Sequence, residues 1–129
     1  MQYNDFKGKL ALITGSSGGV GYRVAELLAR NGAHVVINSR SEENAERAAV
    51  RLRTISGEIS IAVGDVGRYD DAVKVAAVAA EITGNIDILV SSGARSEIRP
   101  QPFADMTGPQ LVEAFNSRFF ARLFPVHAA

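Results

Sequence analysis

Residues 10–21 read LALI followed by TGSSGGVG, and this junction limits what the chain can fold into. Four apolar residues of strand character run into a cluster of glycines and serines. A helical pattern, Val20, Val24, Leu27 and Leu28, begins directly afterwards. Such a stretch reads as strand, tight turn and helix N-terminus. The first N–H groups of the helix have no internal partner and the helix dipole is positive there, so the turn can hold a phosphate. Glycine allows positive φ angles and lets the backbone approach a ligand with no Cβ in the way.

The rest of the chain alternates in the same way. A strand is expected over 34–37, a helix capped by Ser41 through about 53, a strand over 59–63, a helix over about 69–83 closed by Gly84, and a strand over 86–90. A last helix starts at Thr107, which with Gln110 forms a capping box, and carries the apolar face Leu111, Val112, Phe115, Phe119 and Leu123. Pro125 is expected to end or kink it near Phe124. Strands alternating with helices imply right-handed βαβ units and a parallel sheet covered on both faces. The fold class is therefore α/β, a three-layer doubly wound sheet of Rossmann type, first half only, with strand order 3-2-1-4. Its ligand crevice is expected at the carboxyl ends of the strands.

Composition excludes several alternatives. The 129 residues suit one domain, the formal net charge is zero, and there is no cysteine and only two histidines, His34 and His127. No disulfide framework, thiolate site or metal cluster is expected, and neither a nucleic-acid surface nor a membrane span. The opening MQYNDFKGK is polar rather than signal-like, so a cytoplasmic location is expected.

The glycine spacing is TGxxxGxG, with Gly15, Gly19 and Gly21 behind Thr14. It is not GxGxxG, and Tyr22 and Arg23 stand where a Walker loop would need Lys and Ser or Thr. On this spacing the chain resembles the short-chain dehydrogenase/reductase family, and the resemblance extends over nearly all of it. The resemblance implies a single NAD(P)-binding domain over 1–129, with Gly15, Ser17, Gly18, Gly19, Val20 and Gly21 around the pyrophosphate. It implies that Asp65 and Val66 hold the adenine ring, although Asp65 also suits a cap for the next helix. Ser91-Ser92-Gly93-Ala94 stands where the family has NNAG, so Ser92 and Gly93 are expected near the cofactor. Asn116 falls where a family asparagine holds a water in the proton relay to the catalytic lysine; the alternative is a structural asparagine at a helix irregularity.

The end of the second strand bears on which dinucleotide is preferred. Asn38-Ser39-Arg40-Ser41 offers no carboxylate to repel a 2′-phosphate, and Arg40 supplies a permanently charged fork. NADP(H) is therefore expected over NAD(H), with Ser39, Arg40 and Ser41 as contacts, although Arg40 also suits a solvated surface charge. The family's YxxxK belongs after a fifth strand, which the chain stops short of. Tyr3 to Lys7 matches it literally but precedes the first strand. The expectation is thus the cofactor-binding portion of an oxidoreductase acting on a small carbonyl or alcohol, inactive by itself. The alternatives are a non-catalytic dinucleotide-binding module or pseudoenzyme, or one half of a split enzyme. The fourth strand is expected at a sheet edge and the last helix part-covered, so a homo-oligomer is expected.

Overall fold

The computed structural model describes residues 5–56, 58–93 and 99–129. Four parallel strands, β1 (Leu10–Thr14), β2 (His34–Ser39), β3 (Ile59–Val63) and β4 (Ile88–Ser91), form one sheet in the order β3-β2-β1-β4. The helices are α1 (Gly19–Arg30), α2 (Glu42–Arg53), α3 (Tyr69–Thr83), α4 (Gly108–Phe115) and α5 (Ala121–Ala128). A π-helical turn, Asn116–Phe120, joins the last two, and a short 3-10 turn, Phe103–Asp105, precedes α4.

Strand alternation sends side chains to two cores. Ala11, Ile13, Val35 and Ile37 meet Ala25 and Ala29 of α1 and Ala45, Ala48, Ala49 and Leu52 of α2. Leu10, Leu12, Val36 and Ala62 meet Ala72, Val75 and Ala79 of α3, with Phe124 of α5 packed alongside. The alanines of the helices let them lie close to the sheet, where each fully buried Leu, Ile or Val contributes about 1.5–3 kcal/mol. β1 is buried along its whole length and β4, with a partner on one side only, is part-exposed. Asp87 anchors the far end of β1: its Oδ2 accepts from Leu10 N at 2.8 Å, and this bond holds the carboxyl below the ordinary range.

The start signals fall where expected. Ser41 Oγ accepts from Asn44 N, both bonds of the Thr107–Gln110 capping box form, and Gly32 and Gly84 take positive φ at helix ends. Three expectations need correction. β2 runs on to Ser39 because Asn38 and Ser39 pair with Ala62 and Val63 of β3, so a strand end judged by polarity alone falls too early. β4 spans Ile88–Ser91 rather than 86–90, since Asp87 is occupied with Leu10. Of the two outcomes expected at Pro125, an end or a kink, the end does not occur: Pro125 lies buried inside α5. Packing against α3 outweighs the lost bond: Tyr69 meets Phe124 edge-on at 5.5 Å, and the Tyr69 hydroxyl and His127 Nδ1 are 3.0 Å apart.

The apolar face of the last helix is exposed in this chain, Val112 at 62% and Phe115 at 56%. Among the described residues no helix is long and apolar enough to cross a membrane, and no group of acidic or histidine side chains could hold a metal ion.

Candidate functional site

A polar clamp ties the carboxyl ends of all four strands together. Asn38, 2% exposed, sits at its centre. Its Oδ1 accepts from Gly15 N at 3.1 Å, while its Nδ2 donates to Ala62 O at 3.0 Å and to Gly64 O at 3.2 Å. The partners force this orientation of the amide, because an N–H can only donate and a carbonyl can only accept. Ser16 adds a second crossing: its N donates to Asn38 O, its Oγ accepts from Asn38 N, and its Oγ donates to Ile13 O at 2.7 Å. Thr14 Oγ1 accepts from Ser92 N at 3.1 Å and from Gly93 N at 3.0 Å, joining β1 to the end of β4.

Within this clamp Gly15 and Gly21 must be glycine. Gly15 has φ +61°, and a Cβ on it would stand 2.6 Å from Gly93 Cα. A Cβ on Gly21 would stand 2.5 Å from Gly15 O, so α1 could not sit as close beneath the loop. Gly18, by contrast, is open: a Cβ there would meet nothing within 4 Å. It is the extended N-cap of α1, no side chain caps that helix, and its first turn holds no acidic residue. The N-terminal N–H groups and the positive end of the dipole are thus left to a ligand, a fit to a pyrophosphate.

In front of the clamp lies an open cleft of about 620 Å³. Gly15, Ser17 and Gly18 line it from the first loop, and Asn38, Ser39, Arg40, Ser41 and Asn44 from the end of β2 and the start of α2. Gly64, Asp65, Val66 and Gly67 follow from β3, Gly93 from β4, and Glu113, Asn116, Ser117 and Ala121 from the last helical segment. Ser39 Oγ accepts from Ser41 N at 3.2 Å and Ser41 Oγ from Asn44 N at 3.3 Å. Each hydroxyl keeps its own proton for donation. Asp65 does not cap α3, whose N-cap is Arg68. Its Oδ1 instead accepts from Gly67 N at 2.9 Å, an Asx-type turn that shapes the loop.

Of the residues singled out in the sequence, Gly15, Ser17, Gly18, Ser39, Arg40, Ser41, Asp65, Val66, Gly93 and Asn116 come together at the cleft. Gly19, Val20, Gly21 and Ser92 do not line it: Val20 is 75% exposed, and Gly21 and Ser92 act beneath the loop and at Thr14. Ala94 lies outside the described residues. Asn116 opens the π-helical turn at the cleft wall, the kind of helix irregularity that the alternative, structural reading of this residue supposed. Sequence reading missed the clamp residue Asn38 and the wall residues Asn44, Gly64, Gly67, Glu113, Ser117 and Ala121. For Asn38 a signal existed, a polar residue ending the apolar run VVI.

A parallel 3-2-1-4 sheet with a glycine loop at its centre and a cleft at its carboxyl ends defines a Rossmann-type α/β domain. Comparison with known proteins narrows the class. Residues 9–129 match the family described as short chain dehydrogenase, and the chain belongs to that family. Dehydrogenase/reductase SDR family member 4 of Bos taurus is 38% identical over 93 residues, 72% of this chain and 33% of that protein. Its human counterpart is 40% identical over 86 residues, 67% of this chain and 31% of that protein. Among solved structures, a glucose/ribitol dehydrogenase from Brucella melitensis matches with a TM-score of 0.86 at 27% identity, covering 100% of this chain and 53% of its own. L-Sorbose reductase from Gluconobacter frateurii, complexed with NADPH and L-sorbose, matches with a TM-score of 0.85 at 25% identity over 95% of this chain and 46% of its own. The chain spans about a third of the length of these curated relatives and about half of these solved structures.

Proposed function

We propose that the cleft holds a nicotinamide adenine dinucleotide, NADP(H) in preference to NAD(H), as the cofactor-binding part of an oxidoreductase acting between a carbonyl and an alcohol. The observation that carries the reading is Arg40, which lines the cleft at the end of β2 between Ser39 and Ser41. The nearest carboxylates in sequence, Glu42 and Glu43, are not among the lining residues, and Glu43 is paired with Arg47 at 2.6 Å. A 2′-phosphate at this end meets a guanidinium and two hydroxyls. The NADPH bound by L-sorbose reductase supports the choice.

The dinucleotide supplies the hydride chemistry; this chain's residues bind and orient it. Ser17, Gly18 and the first N–H groups of α1 receive the pyrophosphate, Asp65 and Val66 border the adenine, and Gly93 admits the chain of the cofactor past β4. Asn116, facing the cleft from the π-helical turn, positions a water for proton transfer. The role assigned to these residues is to bind and orient the dinucleotide; no tyrosine or lysine is among the described residues that line the cleft.

The test is Arg40→Ala, followed by calorimetric titration with both dinucleotides. Losing a charge-assisted contact of about 1.5–3 kcal/mol weakens NADPH binding by about 10- to 100-fold. NADH, which has no 2′-phosphate, changes by less than about 3-fold. An equal loss for both dinucleotides, or none for either, would overturn the preference.

A further inference from the structure

Asn31-Gly32 is the one Asn-Gly pair in the sequence, and it stands at the C-terminus of α1, where the chain turns toward β2. Of the residues that can follow asparagine, glycine leaves the side-chain amide most open to attack by the next backbone nitrogen, because no Cβ shields that nitrogen. On losing its proton, the Gly32 nitrogen bonds to Asn31 Cγ; the Cγ–Nδ2 bond breaks, and ammonia leaves with the proton. Water then opens the cyclic imide. Cleavage at Cγ yields aspartate, and cleavage at the backbone carbonyl yields isoaspartate, with the chain running through the side chain. No oxidant or reductant takes part.

The structure uses both residues of this labile pair. Gly32 has φ +93°, and a Cβ on it would stand 3.3 Å from Lys7 Cα and N, so glycine is favoured there. Asn31 Nδ2 donates to Leu27 O at 2.7 Å, and Asn31 O accepts from Phe6 N at 3.2 Å. The same junction keeps the pair unreactive. Attack needs the Gly32 nitrogen swung round to face Cγ. With Asn31 at ψ 18° that nitrogen instead donates to Ala29 O at 3.2 Å. Ala33 N adds a bond to Leu28 O at 3.1 Å, and Ala29 and Ala33, on either side of the pair in sequence, are buried. Nucleophile and leaving amide are thus each tied to a carbonyl of the last turn, and reaction requires that turn to open.

We propose that Asn31-Gly32 is a latent deamidation site, silent while the last turn of α1 is closed and converted to aspartate and isoaspartate when it opens. The conversion also reinforces itself. A carboxylate in place of the Asn31 amide cannot donate to Leu27 O and adds negative charge at the negative end of α1. Isoaspartate lengthens the backbone at the point where Asn31 O meets Phe6 N. Either product loosens the junction between α1 and β2, whatever the cleft binds.

The experiment incubates the intact protein at mildly alkaline pH, folded and in urea, and follows the peptide 31–40, released by cleavage after Arg30 and Arg40, by mass spectrometry. Fragmentation separates Asn31 from Asn38 in the same peptide. Conversion at Asn31 is expected to be at least about 30-fold slower in the folded protein, the scale of a packed turn open about 3% of the time. Ala29→Gly, which weakens the last turn and leaves the pair intact, is expected to speed the folded-state conversion about 5-fold and to leave the rate in urea unchanged. Asn31→Asp is expected to melt about 2–4 °C below wild type. Equal rates folded and in urea, or a folded-state rate unmoved by Ala29→Gly, would overturn the gating. Absence of conversion in urea would overturn the site itself, and an unchanged melting temperature in Asn31→Asp would overturn the self-reinforcement.

Discussion

Gly15→Ala is expected to unfold the protein at a temperature at least about 10 °C below wild type and to abolish dinucleotide binding. Two costs add. An L residue at φ +61° costs about 1–2 kcal/mol, and the new methyl would stand 2.6 Å from Gly93 Cα, backbone that cannot retreat without breaking the Gly93 N to Thr14 Oγ1 bond. The sum is about 3 kcal/mol or more, which in a domain of this size is a large share of the total stability. Gly84→Ala separates the two terms. Gly84 has φ +90° but a Cβ there meets nothing within 4 Å, so that variant carries the conformational cost alone. If thermal unfolding showed Gly15→Ala to be no more damaging than Gly84→Ala, the close approach of the first loop to β4 would be wrong.

Asn38→Asp, nearly isosteric, is expected to be comparably severe, about 3–5 kcal/mol by denaturant unfolding at pH 7. The carboxylate still accepts from Gly15 N but cannot donate to Ala62 O or Gly64 O, and it places a buried charge against two carbonyl oxygens. Burial among acceptors raises the folded-state pKa of the introduced carboxyl above its unfolded value. The deficit is therefore largest above that raised pKa and shrinks as pH falls through it, since the protonated group can donate one bond again. An unfolding midpoint equal to wild type, or a deficit that grows on acidification, would remove Asn38 from the centre of the clamp.

These two residues also mark how much could be read from the chain before its structure. The glycine loop was legible because TGSSGGVG has a spacing that one backbone path satisfies, with Gly15 and Gly19 both at positive φ. The sheet order followed from strands of apolar residues alternating with capped helices, and Ser41, Thr107 and Gln110 announced helix starts through contacts only three residues apart. Asn38 was less visible because its role depends on register: it meets Gly15 across 23 positions and Gly64 across 26. The far wall of the cleft is harder still. Glu113, Ser117 and Ala121 come to one face through a π-helical turn that no sequence period announces. At Pro125 the helix end that a local breaker suggests is absent, because the packing of Phe124 against Tyr69 of α3 outweighs it.

In the reading we propose, the cleft receives a phosphate at one loop and a 2′-phosphorylated ribose at another. In that reading Arg40 stands at the ribose end, and Gly18 with the N-terminus of α1 at the pyrophosphate. Asp65 and Glu113 also line the cleft.

The most direct measurement is a parallel calorimetric titration of the intact protein with NADPH and NADH at low ionic strength, where phosphate contacts are least screened. The expected result is saturable, one-to-one binding of both, with NADPH tighter by at least about tenfold, the value of one guanidinium contact to the 2′-phosphate. Absence of binding, or NADH bound as tightly as NADPH, would contradict the account.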